Sequence, residues 1–416
     1  MTELNKSRAV LVGMCSRTSE LDECERSLDE LERLLDTAGG EALAKVIQVK
    51  ESFDPRTCIG KGKVEEISAL CKNEGAELVV FDFELTPAQI RNLEEDIDSA
   101  SVIDRSMLIL DIFAKHAVSS DGKLQVELAQ LKYSAPRLIG KGAALSRQGG
   151  GIGSRGPGES KLETDRRHLK ERVVALEARL LEMEHNRAVM RASRDRSGIT
   201  KIAVVGYTNA GKSTLLNTLT GAGVLSEDKL FATLDPTTRK MTLPSGESVL
   251  LTDTVGFIRK LPHHLIKAFK STLDEVKYAD ILLIVSDATD PELSEHLKVT
   301  SELIDELGAS GKPVINAYNK SDALDSGFLE NTDTSVFISA KTAEGIDDLL
   351  STIERVIQST KKRVKLLIPY SDQSAVNTLY NSYSIGEVEY VENGVLIEAV
   401  LDSKGLGIYR KYITEE

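Results

Sequence analysis

Residues 201–219 constrain the fold of this chain more than any other segment. They contain an apolar run with strand character, Lys201 to Val205, then a glycine-rich turn, and then a helical pattern from Thr214 to Leu219. The turn has the form Gly-x4-Gly-Lys-Ser, whose glycines let backbone N–H groups close around phosphate oxygens at a helix N-terminus. This order predicts a phosphate-binding loop in an α/β domain. The predicted phosphate contacts are Gly206, Tyr207, Thr208, Asn209, Ala210, Gly211, Lys212 and Ser213.

Two later motifs indicate which base is bound. Asn-Lys-Ser-Asp follows the apolar run 314–318, and Ser-Ala-Lys follows the run 336–338. Both resemble the guanine-binding elements of GTPases. The Asp322 carboxylate can accept hydrogen bonds from guanine N1–H and from its 2-amino group, which adenine cannot offer, and a mismatch would leave a partly buried charge unsatisfied. The predicted base contacts are Asn319, Lys320, Ser321, Asp322, Ser339, Ala340 and Lys341.

Between these motifs, the apolar run 250–252 followed by Asp-x-x-Gly has the order and spacing of a GTPase switch element. Asp253 would hold Mg²⁺ through water, and the Gly256 amide would contact the γ phosphate. The next residue is Phe257, where many regulatory GTPases carry the glutamine that orients the attacking water. We therefore assign no catalytic residue and expect slow intrinsic hydrolysis. The predicted contacts of this segment are Asp253, Thr254, Val255 and Gly256.

The group that replaces the missing glutamine can come from three sources, which the sequence leaves open: a partner, a rearranged switch or a monovalent ion. Asn209 in the phosphate loop resembles the residue that coordinates K⁺ in potassium-activated GTPases. A K⁺ requirement is therefore a hypothesis that accompanies the Mg²⁺ prediction.

A second switch element is predicted upstream of the Asp-x-x-Gly run. We choose Thr233, twenty residues after Ser213, as the second hydroxyl ligand of Mg²⁺ beside that of Ser213 itself. Thr237 and Thr238 are the weaker alternatives. The predicted contacts of this segment are Phe231, Ala232, Thr233, Leu234 and Asp235.

The alternation of strand and helix patterns divides the chain into four predicted domains. Residues 1–115 read as a small parallel α/β domain, and residues 116–197 as a helical hairpin of coiled-coil type. Residues 198–360 are the predicted P-loop GTPase domain, and residues 361–416 a small α+β domain. The connection of the hairpin, at about residues 137–160, is rich in glycine and arginine, and a loop of that length is usually functional or disordered.

Charge is distributed unevenly along the chain. Residues 132–196 contain fifteen Lys and Arg against eight Asp and Glu, a net charge of +7, which leaves −20 for the remainder of a chain whose total is −13. An acidic chain is not a generic polyanion binder, but a basic glycine-rich tip on a helical stalk suits insertion among RNA phosphates. A solvated linker is the alternative interpretation. The predicted RNA contacts are Arg147, Gly149, Gly150, Gly151, Gly153, Arg155 and Gly156.

Three runs in the sequence resemble signatures of the HflX family: residues 149–167, residues 59–66 and residues 230–239. The resemblance covers essentially the whole chain. It implies a GTPase that binds the large (50S) ribosomal subunit, with the glycine-rich tip at 23S rRNA near the peptidyl-transferase centre. In some members of the family this binding splits stalled or stressed 70S ribosomes. The implied cycle is that the GTP state binds and that ribosome-stimulated hydrolysis releases the protein; Phe257 fits the family pattern.

The resemblance also implies a second nucleotide site, for ATP, in the N-terminal domain. Its candidate, Gly60-Lys61-Gly62-Lys63, lacks the spacing of a phosphate loop, and a plain helix N-terminus is the alternative.

A second class of function also remains open, a Ras-like signalling switch that acts through a protein effector. The longest apolar runs are too short to cross a membrane and the N-terminus lacks the pattern of a secretory signal, so no membrane insertion is expected. Scattered cysteines favour a reducing, cytoplasmic setting. Nothing in the sequence demands more than a monomer.

Overall fold

The computed structural model describes residues 7–146, 157–195, 199–221, 230–231, 236–260, 262, 265, 270–324 and 330–415. The chain divides into two compact units. The first comprises Met1–Glu184, Glu227–Asp235 and Ile258–Leu273, and the second comprises His185–Ser226, Pro236–Phe257 and Asp274–Glu416. Two short segments of the first unit, 227–235 and 258–273, therefore lie within the predicted P-loop GTPase domain, residues 198–360.

The N-terminal part of the first unit is a four-stranded parallel sheet in the order β2-β1-β3-β4, as predicted. Apolar strand residues such as Val10 and Val79 are fully buried beneath helix residues such as Ile67 and Leu93. The four cysteines of the chain are free and buried here, and burial raises the pKa of Cys24 to about 11. The elements are β1 Ser7–Cys15, α1 Leu21–Thr37, β2 Gly40–Val49, α2 Lys61–Glu74, β3 Leu78–Phe81, α3 Pro87–Ile97, β4 Ser101–Asp104 and α4 Arg105–His116.

Two long helices, α5 Ser120–Ser146 and α6 Pro157–Asp195, follow and form the predicted hairpin. Ion pairs Arg172–Glu127 (2.7 Å) and Lys132–Glu177 (2.7 Å) join them. In the apolar stripe of α6, Leu176 is buried and the other positions, Leu169, Val173, Leu180 and Met183, are partly buried.

The connection of the hairpin is shorter than predicted. Residues 137–146 continue α5 and residues 157–160 begin α6, so the loop expected at 137–160 is wrong at both ends. Single glycines cost a helix only about 1 kcal/mol each, which a helix already anchored by its neighbour tolerates. The predicted RNA contacts, all between 147 and 156, lie outside the described residues.

The second unit contains a six-stranded sheet in the order β10-β9-β8-β5-β7-β6, parallel except for β6, which runs antiparallel to β7. Its core is formed by apolar strand residues such as Val204, Leu251 and Leu283. This is the predicted P-loop domain. The elements are β5 Thr200–Val205, α7 Lys212–Thr220, β6 Thr237–Thr242, β7 Ser248–Asp253, α8 Lys270–Tyr278, β8 Ile281–Asp287, α9 Leu293–Glu306, β9 Val314–Asn319, β10 Ser335–Phe337 and α10 Ile346–Thr360.

The chain ends in a small α+β fold, also as predicted. Its four strands form an antiparallel sheet in the order β12-β13-β11-β14 over a core that includes Leu366, Ile397 and Tyr409. Among the described residues, no helix has both the length and the apolar character needed to span a membrane. The elements are β11 Lys362–Ile368, α11 Gln373–Ser382, β12 Ser384–Val391, β13 Gly394–Leu401, α12 Ser403–Tyr409 and β14 Ile413–Glu415.

Candidate guanine nucleotide site

The phosphate loop connects β5 to α7, and two of its glycines are required by their surroundings. Gly206 has φ +147°, and a Cβ there would lie 2.1 Å from the carbonyl oxygen of Val285. Gly211 has φ +92°, and a Cβ there would lie 2.2 Å from Asn319 Nδ2. Because such distances are impossible for a real Cβ, the loop keeps its close approach to the neighbouring strands only with glycine at both positions.

Lys212, the first residue of α7, is buried beneath this loop. Its Nζ donates hydrogen bonds to the carbonyl oxygens of Gly206 (3.1 Å) and Tyr207 (2.8 Å). Burial lowers the pKa of Lys212 to about 8, although the charge of Asp253 acts in the opposite direction. A buried cation held by two carbonyls is positioned to meet phosphate charge, which would restore its ordinary pKa.

Ser213 and Asp253 place hydroxyl and carboxylate oxygens side by side. Ser213 Oγ donates to Asp253 Oδ2 at 2.7 Å, and Asp253 is fully buried at the end of β7. Oxygen donors of this kind are what Mg²⁺ prefers, so the residues present fit the ion. Thr233 lies outside the described residues. Of the two alternatives, Thr238 is hydrogen-bonded to Thr252 within the sheet (Oγ1 to Oγ1, 2.9 Å).

The Asp-x-x-Gly segment is fastened to the phosphate loop by backbone hydrogen bonds. Phe257 N–H donates to the Gly206 carbonyl (3.0 Å), and Thr208 N–H donates to the Phe257 carbonyl (2.8 Å). Gly256 passes so close that a Cβ would lie 3.0 Å from Lys212 Nζ. The Phe257 ring is 1% exposed. It is part of the core, so this position offers no polar group to a water molecule.

Asn319 links the phosphate loop to the Ser-Ala-Lys segment. Its Nδ2 donates to the Ala210 carbonyl (2.8 Å), and its Oδ1 accepts from Ala340 N–H (2.9 Å). The side chain is buried, so both hydrogen bonds are shielded from water. One asparagine therefore fixes the spacing between the two loops.

The other guanine-binding candidates lie around Asn319. Lys320 has φ +66° and its Nζ forms an ion pair with Asp287 (2.6 Å) at the end of β8, which lowers the pKa of Asp287 against the effect of burial. Ser321 N–H donates to the Ile338 carbonyl (3.0 Å), and Asp322 is exposed in the following turn. Ser339 is fully buried, Ala340 is nearly so, and Lys341 is exposed.

Two residues of this region were missed by the motif analysis. His296 on α9 stacks on Tyr207 with ring centroids 3.7 Å apart, and its Nδ1 lies 3.1 Å from Asp290 Oδ2. Asp287 could have been found, because it ends a strand parallel to β9 and the carboxyl ends of parallel strands share one edge. No motif marks His296.

Of the remaining predicted residues, some lie in the described part of the chain and three do not. Phe231 is described and packs edge-on against Phe113, with ring centroids 4.7 Å apart. Gly60 is the N-cap of α2, and Lys61 and Lys63 pair with Glu65 and Glu66 on the same helix. Thr254 donates to the Val204 carbonyl (2.8 Å) and Val255 is buried. Ala232, Leu234 and Asp235 lie outside the described residues.

Comparison with known proteins shows to which family the chain belongs. Three family models match the chain, described as GTP-binding GTPase N-terminal (residues 25–114), GTP-binding GTPase Middle Region (116–194) and 50S ribosome-binding GTPase (201–320). A GTPase HflX from Lacrimispora saccharolytica is 48% identical, over 97% of this chain and 97% of its own length. The chain belongs to the HflX family of GTPases. The HflX protein of Caldanaerobacter subterraneus subsp. tengcongensis is 50% identical over 95% of this chain and 91% of its own.

As a member of the HflX family, the protein is a GTPase that binds GTP and GDP. Among solved structures, the GDP complex of SsGBP covers 84% of this chain and 98% of that chain, with 26% identity and a TM-score of 0.48.

Proposed function

We propose that this GTPase binds the 50S ribosomal subunit in its GTP state and that the subunit stimulates hydrolysis, which then releases the protein. The observation that carries the proposal is the match of residues 201–320 to a family described as 50S ribosome-binding GTPases. The basic hairpin that precedes that domain in the sequence is the kind of feature that rRNA would bind.

Each part of the nucleotide site has a proposed task. Lys212 neutralises the β and γ phosphates, and Asp322 selects guanine by accepting from its N1–H and 2-amino group. Mg²⁺, which GTPases generally use, would be held by Ser213 directly and by Asp253 through water. When bound, the ion would supply positive charge that offsets the negative charge of the phosphates. We also propose Thr233 as its second hydroxyl ligand.

The need for stimulation follows from Phe257. An apolar side chain that is 1% exposed cannot orient an attacking water, so the free protein should hydrolyse GTP slowly. We propose that the ribosome completes the site and that K⁺, bound near Asn209, contributes charge. Asn209 is exposed and has φ +60°, so its side chain is open to a ligand.

The hairpin would deliver its tip to the RNA. The tip, residues 147–156, connects two helices of 27 and 39 residues, and a helix of 27 residues is about 40 Å long. That reach suits insertion toward 23S rRNA at the peptidyl-transferase centre, with Arg147 and Arg155 at phosphates. A protein occupying this place would split or rescue stalled 70S ribosomes, so the proposed place of action is the cytoplasm and the proposed form is a monomer.

The test is GTP turnover in K⁺ buffer with and without purified 50S subunits and 70S ribosomes. We expect a stimulation of at least about tenfold. Replacing Arg147 and Arg155 with Glu should remove most of it while leaving GDP binding intact. The matched control is the same charge change at Arg167 and Arg179, which are exposed on the stem. Absence of stimulation with nucleotide still bound would favour the Ras-like switch instead.

ATP binding by the N-terminal domain is the remaining alternative. The ion pairs of Lys61 and Lys63 with neighbouring glutamates favour a plain helix start at Gly60. Labelled ATP should therefore show no saturable binding to the full chain when GDP fills the guanine site. Saturable binding under these conditions would establish the second nucleotide site.

A further inference from the structure

A cluster of buried charged groups lies at the carboxyl end of the N-terminal sheet. Asp82 directly follows β3 and is 3% exposed at its side chain; it accepts from Arg105 Nη1 (2.6 Å) and from Ser27 Oγ (2.6 Å). The sheet order β2-β1-β3-β4 reverses direction between β1 and β3. In open α/β sheets, that reversal is the usual place for a ligand.

The groups that fill this place belong to the segment after Asp-x-x-Gly. Lys260 Nζ donates to Asp82 Oδ2 (2.9 Å) and to Ser27 Oγ (2.9 Å). Arg105 Nη2 donates to the carbonyl oxygen of Arg259 (3.2 Å) and also pairs with Glu30 (2.9 Å). Lys260 has φ +51°, which an L residue adopts rarely.

Charge explains why the lysine belongs there. Asp82 and Glu30 carry two negative charges, and Arg105 supplies one positive charge. With Lys260 in place, the Asp82 carboxylate has two cationic partners; without Lys260, this almost completely buried carboxylate keeps only Arg105. The cluster therefore stabilises the conformation in which the segment 258–260 contacts Asp82; we call this segment docked.

Helix α4 contacts the other switch segment as well. Arg105 is its first residue, and Phe113, two turns later, packs edge-on against Phe231 at 4.7 Å between centroids. Phe231 lies two residues before Thr233, and Arg259, whose carbonyl oxygen accepts from Arg105, lies three residues after Gly256. One helix of the N-terminal domain thus holds a residue from each segment that flanks the nucleotide motifs.

The covalent chain couples this docking to the nucleotide site. Phe257 is hydrogen-bonded to the phosphate loop, and Gly256 lies close to Lys212. Phe257 and Lys260 are separated by only three residues of chain, at most about 10 Å, so a displacement of one that exceeds this reach must move the other.

We propose that Asp82 and helix α4 form an intramolecular receptor for the two switch segments, and that docking there supports the conformation in which Gly256 meets the γ phosphate. Lys260, Asp82 and Arg105 are positioning residues in this arrangement. By reciprocity, whatever undocks Lys260 weakens binding of GTP more than binding of GDP, and a bound γ phosphate strengthens the docking. The N-terminal domain therefore responds to the nucleotide state.

The test compares dissociation constants of GDP and of the non-hydrolysable GTP analogue GMPPNP in the full chain without ribosomes. Lys260→Met should lower the ratio of GMPPNP affinity to GDP affinity by about fivefold, because the substitution removes one ion pair whose lysine is half-exposed. The GDP affinity itself should stay within about twofold of wild type. Lys72→Met controls for loss of a half-exposed lysine in an ion pair: Lys72 is 53% exposed, against 51% for Lys260, and pairs at 2.9 Å with Asp98, which is exposed where Asp82 is buried. An unchanged preference in Lys260→Met would overturn the proposal.

A second measurement needs no substitution. Amide hydrogen exchange in α4 should be slower in the GMPPNP complex than in the GDP complex. Exchange in α2, which packs on the same sheet, should be equal in the two complexes. Equal exchange of α4 in both complexes would refute the coupling. Because neither measurement contains ribosomes, their failure is distinguishable from failure of the proposed function.

Discussion

Asn319 joins two loops of the nucleotide site through two buried hydrogen bonds, and removing its amide gives the sharpest test of the site's construction. In Asn319→Ala, the Ala210 carbonyl and the Ala340 N–H lose their side-chain partner. Each buried backbone group left unsatisfied costs about 1–3 kcal/mol, so the two together cost about 2–6 kcal/mol. Because a bound nucleotide must order both loops again, most of this cost should weaken GDP binding, by about 30-fold or more.

The assay is titration with fluorescent GDP, accompanied by thermal unfolding to show that the variant folds. The control is Asn331→Ala. Asn331 also accepts from a backbone N–H, that of Phe337 (2.9 Å), and donates to Asp348 (3.2 Å), but it is exposed and contacts neither loop. We expect its GDP affinity to stay within about twofold of wild type. If a folded Asn319→Ala protein binds GDP less than about threefold more weakly than wild type, the two hydrogen bonds of Asn319 do not order the nucleotide loops.

Three further predictions concern the same site. Burial lowers the pKa of Lys212 to about 8 in the free protein, and bound phosphate raises it, so nucleotide binding takes up a proton above about pH 8. GDP affinity should therefore fall about tenfold between about pH 7 and pH 9. A GDP affinity that does not change over this pH range would contradict this prediction. Asp322→Asn should weaken GDP binding by about 100-fold in the same titration, because an amide N–H would face guanine N1–H; near-wild-type affinity would exclude Asp322 from base recognition. Ribosome-stimulated hydrolysis should be about tenfold faster in K⁺ than in Na⁺, and Asn209→Ala should remove the difference; equal rates in the two salts would end the K⁺ hypothesis.

The parts of the fold that follow from local patterns could be predicted from the sequence. Apolar runs such as 201–205 and 281–285 form parallel strands, and Gly-x4-Gly-Lys-Ser forms the turn between β5 and α7. These features depend on hydrophobic periodicity and on glycine's access to positive φ, both of which are visible within a few residues. The hairpin connection was predicted too long, because the whole stretch 137–160, rich in glycine and arginine, was assigned to it although α5 continues to Ser146 and α6 begins at Pro157.

Contacts between distant segments could not be predicted. His296 reaches Tyr207 across 89 positions of sequence, and Lys260 reaches Asp82 across 178. Neither pair has a motif, because the partners are brought together by strand order rather than by spacing along the chain. The sequence placed residues 1–115 and the switch segments in separate predicted domains, and only the packing of Phe231 and Lys260 shows that α4 and Asp82 hold both segments.

Binding of the large ribosomal subunit by the GTP state of this HflX family member can be measured by co-sedimentation. The full chain is mixed with purified 50S subunits in GMPPNP or in GDP, pelleted through sucrose, and quantified in the pellet. We expect near-stoichiometric recovery with GMPPNP and little with GDP. Equal recovery with the two nucleotides, or none with either, would contradict this expectation.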